Sequence, residues 1–397
     1  MKKVVLAYSG GLDTSYCVKY LINELNMEVY SVLVNTGGFS EEELKEVEKK
    51  AYEMGVTSHK NVSILDEYYE KAIKYMVFGN VLKNNTYPLS VSAERIFQAI
   101  EVVKYANEID SDAIAHGSTG AGNDQIRFDL IFQAMAPEKQ IITPIRDLKL
   151  SRQEEIEYLK SHGVDMPWEK SQYSINKGIW GTSVGGSETL TSHQTLPEEA
   201  YPSQLTKTEP MKVELTFSNG EFTAFQGEEG SPVENILKLE ELASQYAIGR
   251  DMHVGDTIVG IKGRVGFEAA AALVIIKAHH TLEKHTLSKW QQYWKEQLGN
   301  WYGMLLHEGQ YLDPVMRNIE AFLQDSQKTV NGTVGVILKP YHFIVEGIQS
   351  ENDLMNNGFG AYGEMNNAWT AEDAKGFIQI YGNQNKIFSH VNPEYND

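Results

Sequence analysis

Seven residues near the start of the chain, Ser9-Gly10-Gly11-Leu12-Asp13-Thr14-Ser15, constrain its fold more than any other stretch. They follow an apolar run at residues 4–8, and they precede a helical pattern at 14–25 and a β-rich run at 29–34. A strand, a glycine turn and a helix in this order direct backbone N–H groups and a helix N-terminus at a phosphate. The two glycines let the backbone approach the anion closely, and nearby hydroxyls add donors. The segment therefore predicts a phosphate-binding loop, with a Gly-Gly turn capped by Asp13 as the alternative.

This loop is neither of the two most familiar phosphate loops. No Gly-Lys-Thr follows it, as a Walker A loop requires, and its glycines lack the G-x-G-x-x-G spacing of dinucleotide-binding folds. It resembles the SGGxD[ST]S loop of the ATP pyrophosphatases, which split ATP into AMP and pyrophosphate. We therefore expect ATP, as its magnesium complex, to be a substrate, with no prosthetic group and no resident metal site.

A second glycine loop lies at residues 116–128, again between a predicted strand and a predicted helix. Asn123, Asp124 and Arg127 place an amide, a carboxylate and a guanidinium within one helical turn. Such a set suits a zwitterion, because the carboxylate pairs with an ammonium and the guanidinium with a carboxylate. Helix capping by Asn123 or Asp124 is the alternative. Capping explains one polar residue there, but not all three.

The order of predicted elements indicates an α/β protein. Strand and helix patterns alternate up to about residue 150, including strands at 113–116 and 141–145, which predicts a parallel sheet with helices on both faces. Residues 164–210 are rich in Gly, Ser, Thr and Pro and are predicted as a long loop region. An Asn219-Gly220 hairpin, helices at 232–247 and 270–300, and β-rich residues 332–347 follow. We predict an ATP-binding domain at 1–165, an α+β synthetase and oligomerisation domain at 166–365, and a C-terminal helical arm at 366–397.

Composition excludes several classes of protein. The formal net charge is −19, which argues against nucleic acid as the main partner, because phosphate backbones are bound by clustered Lys and Arg. The single cysteine, Cys17, allows neither an intrachain disulfide nor a cysteine-based metal cluster. The longest apolar stretch near the middle of the chain, residues 269–276, is too short to span a bilayer. The first strand follows Met1-Lys2-Lys3 directly, without a signal sequence, so we expect a cytoplasmic protein.

Three blocks together resemble the argininosuccinate synthase family. Residues 7–15 read A-Y-S-G-G-L-D-T-S, residues 116–128 fit H-G-[AS]-T-G-x-G-N-D-Q-x-R-F, and Tyr87-Pro88-Leu89 with Ser92 and Arg95 match a third block. The resemblance spans nearly the whole chain and weakens after about residue 165. It implies a two-step ligation in arginine biosynthesis: citrulline attacks the α-phosphate of Mg-ATP, and aspartate then displaces AMP from citrullyl-AMP. It also implies a homotetramer.

The resemblance assigns roles to individual residues. The catalytic candidates are Asp13, Asp124 and Arg127. The implied ATP-binding residues are Ala7, Tyr8, Ser9, Gly10, Gly11, Leu12, Asp13, Thr14, Ser15, Val34 and Gly117. The implied aspartate-binding residues are Thr119, Asn123 and Asp124. The implied citrulline-binding residues are Tyr87, Ser92, Asn123, Arg127, Ser174 and Ser183. Whether Asp13 orients magnesium or caps the helix is left open.

Several departures from the family pattern fall on segments expected near the amino-acid end of citrulline. Gly255 stands where the family has a glutamate, and Phe267 where it has a tyrosine. Asn176, Lys177 and Gly185 replace residues that are usually acidic. Because a free α-ammonium needs carboxylates, these losses favour a citrulline whose α-amine carries an acetyl or succinyl group. Lys177 suits the free carboxylate of a succinyl group. Sequence drift compensated elsewhere, for instance by Asp256, is the alternative.

Other functions share parts of these motifs. A tRNA-thiolating enzyme has the first loop but relies on cysteines and a basic surface, and NAD and GMP synthetases lack the block at 116–128. A non-catalytic nucleotide sensor that retains the fold is a candidate from a different class. Release of pyrophosphate from ATP distinguishes an enzyme from such a sensor.

Overall fold

The computed structural model describes residues 1–164, 166, 172–356, 358–360, 362–364 and 368–395. Contacts divide the chain into two units, Met1–Asn352 and Asp353–Asp397. The three-domain division with boundaries after residues 165 and 365 stays a prediction.

A parallel sheet of five strands opens the first unit, which confirms the predicted fold class. Its strands are β1 Lys2–Ala7, β2 Met27–Asn35, β3 Ser58–Ser63, β4 Ala113–Ala115 and β5 Gln140–Ile142, in the spatial order β3-β2-β1-β4-β5. The helices of this part are α1 Leu12–Asn23, α2 Glu41–Met54, α3 Leu65–Tyr68, α4 Lys74–Phe78, α5 Glu94–Glu108, α6 Asp124–Met135, α7 Pro144–Leu148 and α8 Arg152–Ser161. A short π-helix, Tyr69–Ile73, joins α3 to α4.

Alternation along β1 explains the helical layer on each face of this sheet. Val4 and Leu6 belong to one hydrophobic cluster, together with residues of α1, whereas Val5 between them belongs to another, together with residues of α5. Successive side chains of a strand point to opposite faces, so an unbroken apolar run needs apolar cover on both sides.

Local signals set several helix starts in this region. Ser40 and Ser151 form capping boxes that open α2 and α8. The strand predicted at 141–145 is wrong beyond Ile142. Pro144 opens α7 instead, since a proline at the first helical position needs no hydrogen-bond donor.

The predicted loop region at 164–210 is wrong for its middle part. It contains the hairpin of β6 Ser174–Gly178 and β7 Gly181–Gly185. The hairpin turn is fixed to the first sheet, because Ile179 N–H donates to the Thr36 carbonyl at 2.8 Å and Trp180 Nε1 donates to the Pro88 carbonyl at 2.9 Å. Short strands rich in Gly and Ser have no strong alternation of apolar and polar residues, so their sequence predicts a loop.

The next strands are β8 Met211–Ser218, β9 Glu221–Phe225 and β10 Glu228–Glu229, followed by helix α9 Pro232–Ser244. Asn219 and Gly220 both have positive φ, 47° and 78°, so the predicted Asn-Gly hairpin turn is confirmed. The strands β11 Arg250–Asp256 and β12 Lys262–Glu268 were missed by the sequence analysis. They pair with the earlier hairpin in a sheet of order β11-β12-β7-β6.

The helix predicted over 270–300 is two helices, α10 Ala270–Thr286 and α11 Lys289–His307. Ser288 separates them, because its side chain caps α11 in a capping box with Gln291. Helix α12 Pro314–Ser326 follows, and then the hairpin of β13 Gly332–Lys339 and β14 His342–Gln349. This hairpin completes an antiparallel sheet of order β10-β9-β8-β13-β14, and residues of α9 and α10 share its hydrophobic core.

The second unit contains helices α13 Ala371–Tyr381 and α14 Asn383–Val391, both within the segment 366–397 that was predicted to be helical. Within the described parts of the whole chain, no helix is both long enough and apolar enough to cross a membrane.

Candidate active site

The two glycine loops meet at the edge of the parallel sheet. The first follows β1 and the second follows β4, and these two strands are neighbours. A Cβ placed on Gly117 would lie 3.3 Å from the Asp13 carbonyl carbon and 3.4 Å from Thr14 Cγ2, so the loops pack directly on each other. The strand order reverses between β1 and β4. Ligands of open α/β sheets bind at such a switch point, beyond the carboxyl ends of the strands.

The first loop has the geometry of an anion site. Gly10 has φ +75° and its carbonyl accepts a hydrogen bond from Lys50 Nζ at 2.6 Å. Thr14 Oγ1 lies 3.4 Å from Ser9 Oγ and donates to the Gly11 carbonyl at 3.3 Å, which places two hydroxyls beside the turn. The N-cap of α1 is Gly11, and no side chain caps this helix within the described residues. Its first N–H groups therefore face the loop without a side-chain acceptor.

Asp13 does not cap α1, because it lies inside the first turn. Its carboxylate interacts with Glu155 on α8. Burial, followed by the charge of Asp13 and a hydrogen bond with it, raises the pKa of Glu155 to about 8. The carboxyl group of Glu155 is therefore largely protonated at neutral pH, and it lies beside Asp13 next to the loop.

The other ATP residues of the family resemblance lie around the same edge. Ala7 ends β1, Tyr8 follows it with a buried ring, and Leu12 and Ser15 are buried in the first turns of α1. Val34 lies near the carboxyl end of β2, and its carbonyl accepts a hydrogen bond from Gln98 Nε2 at 3.4 Å.

A polar cavity of about 260 Å³ lies beside the second glycine loop. Residues from α5, α6 and the loops before them, from the β11-β12-β7-β6 sheet and its β11–β12 turn, and from the end of α11 line it. The lining comprises Tyr87, Val91, Ser92, Arg95, Gly122, Asn123, Asp124, Arg127, Asn176, Ser183, His253, Gly255, Asp256, Thr257, Gly263, Arg264, Val265 and His307. Most of the residues predicted to bind citrulline or aspartate thus meet at one place.

Asp124 bridges two arginines at the base of this cavity. Its Oδ2 accepts from Arg95 Nε at 3.1 Å, and its Oδ1 accepts from Arg127 Nη1 at 2.9 Å. Burial opposes the charged carboxylate, but Arg95 and Arg127 outweigh it and lower the pKa of Asp124 below its ordinary value. Asp124 is therefore ionised, and its carboxylate has lone pairs left for a ligand ammonium.

Arg127 is fixed from two sides. Its Nε and Nη2 donate to the His307 carbonyl at 3.0 and 2.8 Å, in addition to the bond to Asp124. Because a guanidinium has five N–H donors, two remain for a substrate. Arg95 is held in the same way, since it also donates to Glu94, Gln98 and Asn176. Burial raises the pKa of Glu94 to about 7, against the influence of Arg95.

Asn123 precedes α6, but its side chain does not cap that helix. Its Oδ1 accepts a hydrogen bond from the Ile258 backbone N–H at 2.9 Å. The capping alternative is therefore wrong for Asn123. This bond ties the second glycine loop to the turn between β11 and β12, so both walls of the cavity are joined there.

His116 fixes the start of the second glycine loop. Its Nδ1 accepts from the Ser118 N–H at 3.1 Å, so its Nε2 carries the proton and donates to Asp129 at 3.0 Å. Asp129 also accepts from Arg146 Nη1 at 2.6 Å. This network of hydrogen bonds fixes the start of the second glycine loop. The sequence did not predict it.

Five residues singled out from the sequence for the citrulline or aspartate sites do not line the cavity: Thr119, Ser174, Lys177, Gly185 and Phe267. Phe267 is fully buried behind Tyr87, with ring centroids 5.2 Å apart. Asn176 and Lys177 are successive residues of β6, so their side chains face opposite sides of the strand. Asn176 accepts a hydrogen bond from Arg95, whereas the exposed side chain of Lys177 lies on the other side. Gly185 pairs with Ser174 at the far end of the same hairpin.

Among the described residues that line the cavity, the acids are Asp124 and Asp256. Asp124 is bound to both arginines. Asp256 is 62% exposed at the side chain and forms an ion pair with Lys262 at 2.6 Å. Both acids of the lining therefore already have a positively charged partner, and compensation for the lost glutamate by Asp256 stays an alternative.

Sequence reasoning missed several cavity residues. Arg95 was noted only as part of a matching block, and Arg264, His253 and His307 were not singled out. His253 and Arg264 lie on β11 and β12, whose place in the cavity depends on long-range strand pairing. A polar residue on a strand gives no local signal of what it faces.

A parallel sheet with an anion loop at its switch point, beside a cavity of paired arginines, is the architecture of a nucleotide-using α/β enzyme. Comparison with known proteins narrows this class. The family model described as the arginosuccinate synthase N-terminal HUP domain matches residues 3–165, and that of the C-terminal domain matches residues 173–388. The chain belongs to the argininosuccinate synthase family, whose enzymes are ATP-dependent ligases.

Curated relatives match over most of their length. The argininosuccinate synthase of Dictyoglomus thermophilum is 36% identical over 391 residues, covering 98% of each chain. That of Methanocaldococcus jannaschii is 40% identical over 337 residues, covering 84% of this chain and 85% of its own. That of Pyrococcus furiosus is 36% identical over 389 residues, covering 97% of this chain and 94% of its own.

Proposed function

We propose that this protein joins a citrulline-type ureido compound to L-aspartate and converts ATP to AMP and pyrophosphate. The observation that carries this proposal is the adjacency of the two glycine loops and the arginine-lined cavity, at the switch point of one sheet. The first loop holds the phosphates of Mg-ATP, and the cavity holds the acceptor and aspartate. Family membership supports the same reaction.

The reaction needs positioning and charge stabilisation more than a strong acid or base. The ureido oxygen attacks the α-phosphorus, and the bond between the α- and β-phosphates breaks to release pyrophosphate. The aspartate amine then attacks the ureido carbon, and the bond to AMP breaks. Asp124 holds the ammonium of the incoming aspartate until it gives up a proton. Arg127 holds the acceptor with its two unengaged N–H groups.

We further propose that the acceptor is a citrulline whose α-amine is acylated. Of the two acids that line the cavity, Asp124 is assigned to the ammonium of aspartate and Asp256 is paired with Lys262, so neither is left for a free α-ammonium on the acceptor. An acyl group removes that charge. Lys177 is exposed and lies outside the cavity lining, so it gives no reason to prefer a succinyl over an acetyl group. Acceptors with either acyl group are therefore tested.

Pyrophosphate release from the wild-type protein tests both proposals. With ATP and L-aspartate, we expect kcat/KM to be about tenfold or more higher for N-acetylcitrulline or N-succinylcitrulline than for free citrulline, because an unpaired buried polar group is strongly rejected. AMP and not ADP should accumulate, and pyrophosphate–ATP exchange should require the acceptor but not aspartate. A preference for free citrulline overturns the acyl specificity alone. The absence of acceptor-dependent pyrophosphate release overturns the ligation.

We propose that the enzyme acts as a homotetramer in which the C-terminal unit makes contacts between copies. Within that unit, aromatic and aliphatic side chains on α13 and α14 are more than half exposed, which is unusual for a helix in water: Phe377, Ile378, Tyr381, Ile387 and Phe388. Light scattering on the full chain measures the number of copies. A cytoplasmic location stays a prediction from the sequence.

A further inference from the structure

Two histidines line the cavity outside every role assigned so far. His253 lies on β11 and His307 is the last residue of α11. Each is only 6% exposed, and the Nδ1 atom of each ring has no hydrogen-bond partner among the described residues. A buried nitrogen left unpaired costs stability. Because both residues line the cavity, a ligand bound there is a group that can supply the missing partner once the ring turns toward it.

Both imidazoles are neutral at physiological pH. Burial, together with the charge of Lys83, lowers the pKa of His253 to about 4. Burial, Arg127 and Lys83 lower the pKa of His307 to about 3. A neutral imidazole has one N–H donor and one lone pair, so each ring is a partner for a neutral polar group and a poor counter-ion for a cation.

Gly255 is what lets the His253 ring lie in the cavity wall. A Cβ at position 255 would lie 2.6 Å from His253 Nε2 and 3.0 Å from Cε1, closer than these atoms can approach. The ring also stacks on Tyr87, with centroids 5.0 Å apart and planes at 25°. The missing side chain at 255 and the imidazole at 253 therefore form one coupled arrangement.

We propose that His253 and His307 are specificity-determining residues that bind the amide of the acyl group on the acceptor's α-nitrogen. This inference rests on the proposed acylated acceptor and names the residues that select it. A secondary amide has one N–H donor and one carbonyl acceptor, which two neutral imidazoles complement together. An α-ammonium has three donors and a positive charge, which the neighbouring Arg127 and Lys83 repel.

Replacing each histidine by phenylalanine tests this assignment, because the ring and its packing remain while both nitrogens are lost. We expect KM for N-acetylcitrulline or N-succinylcitrulline to rise about tenfold in His253→Phe and in His307→Phe, the effect of one lost hydrogen bond in a buried site. The preference for the acylated over the free acceptor, as a ratio of kcat/KM, should fall by about the same factor. His253→Asn, which places an amide atom near the position of Nδ1, should recover most of the loss.

His280→Phe is the matched control, since that histidine lies on α10 outside the cavity lining, and burial also lowers its pKa, to about 4. It should leave every KM unchanged. Thermal melting establishes that each variant folds, and a leucine variant replaces any phenylalanine variant that does not.

If the wild-type protein prefers acylated acceptors and both histidine variants keep that preference, the assignment is wrong while the proposed function stands. If the wild-type protein prefers free citrulline, the acyl specificity fails before any variant is made.

Discussion

Gly10→Val is expected to abolish ATP turnover while leaving the protein folded. Gly10 has φ +75°, a conformation that β-branched residues adopt only under strain, and a Cβ there would lie 3.2 Å from Val47 Cγ2. The turn must then open and move the N–H groups that we propose bind the phosphates of ATP. Loss of one preorganised donor costs roughly 10²–10³-fold in rate, and this change displaces several. Steady-state pyrophosphate release measures the effect.

Gly227→Val separates this effect from general backbone strain. Gly227 has nearly the same φ, +77°, lies in the turn between β9 and β10, and has no atom within 4 Å of an added Cβ. The Gly227→Val variant should have its melting temperature lowered about as much as Gly10→Val, and its rate of pyrophosphate release should stay near normal. A Gly10→Val protein that turns over ATP normally would remove the loop from the nucleotide site. Equal loss of activity in both variants would assign the loss to strain alone.

The parallel sheet and its glycine loops were predictable because their signals are local. The apolar run at Val4-Val5-Leu6 is buried on both faces, and the glycine turn after it lies between strand and helix in the sequence itself. The same holds for the capping serines and for Asn219-Gly220, where a few neighbouring residues fix the backbone. Pairing among these strands then follows from the βα order.

The opposite wall of the cavity was not predictable in this way. Strands β6 and β7 are rich in Gly and Ser, and β12 contains Gly263 and Gly266, so no apolar alternation marks them. Their order, β11-β12-β7-β6, joins segments about 80 residues apart, and that pairing alone carries His253 to the cavity. The family resemblance directed attention to Gly255, which lines the cavity. It gave no signal that the space left by the missing side chain holds a histidine ring.

Asp124→Asn is expected to raise KM for L-aspartate about 10- to 100-fold with little change in KM for ATP. A charge-assisted hydrogen bond is worth about 1.5–3 kcal/mol, and each 1.4 kcal/mol is tenfold. The asparagine amide is neutral and must turn one N–H₂ group toward Arg95 or Arg127, which leaves that guanidinium without its acceptor. The variant therefore loses both the counter-charge for the ammonium and the fixed position of the arginines. Initial rates at varied aspartate measure the change.

Glu320→Gln provides the comparison that makes this result specific. Glu320 lies on α12 outside the cavity lining and accepts from Arg317 Nη2 at 2.6 Å, so its replacement also removes a carboxylate from an arginine. We expect KM for aspartate to be unchanged in that variant. Folding of Asp124→Asn should persist, because water reaches its carboxylate, which is 41% exposed at the side chain. An unchanged aspartate KM in a folded Asp124→Asn protein would remove Asp124 from the aspartate site. A large rise in Glu320→Gln as well would mean that loss of any arginine partner, rather than the charge at position 124, disturbs the cavity.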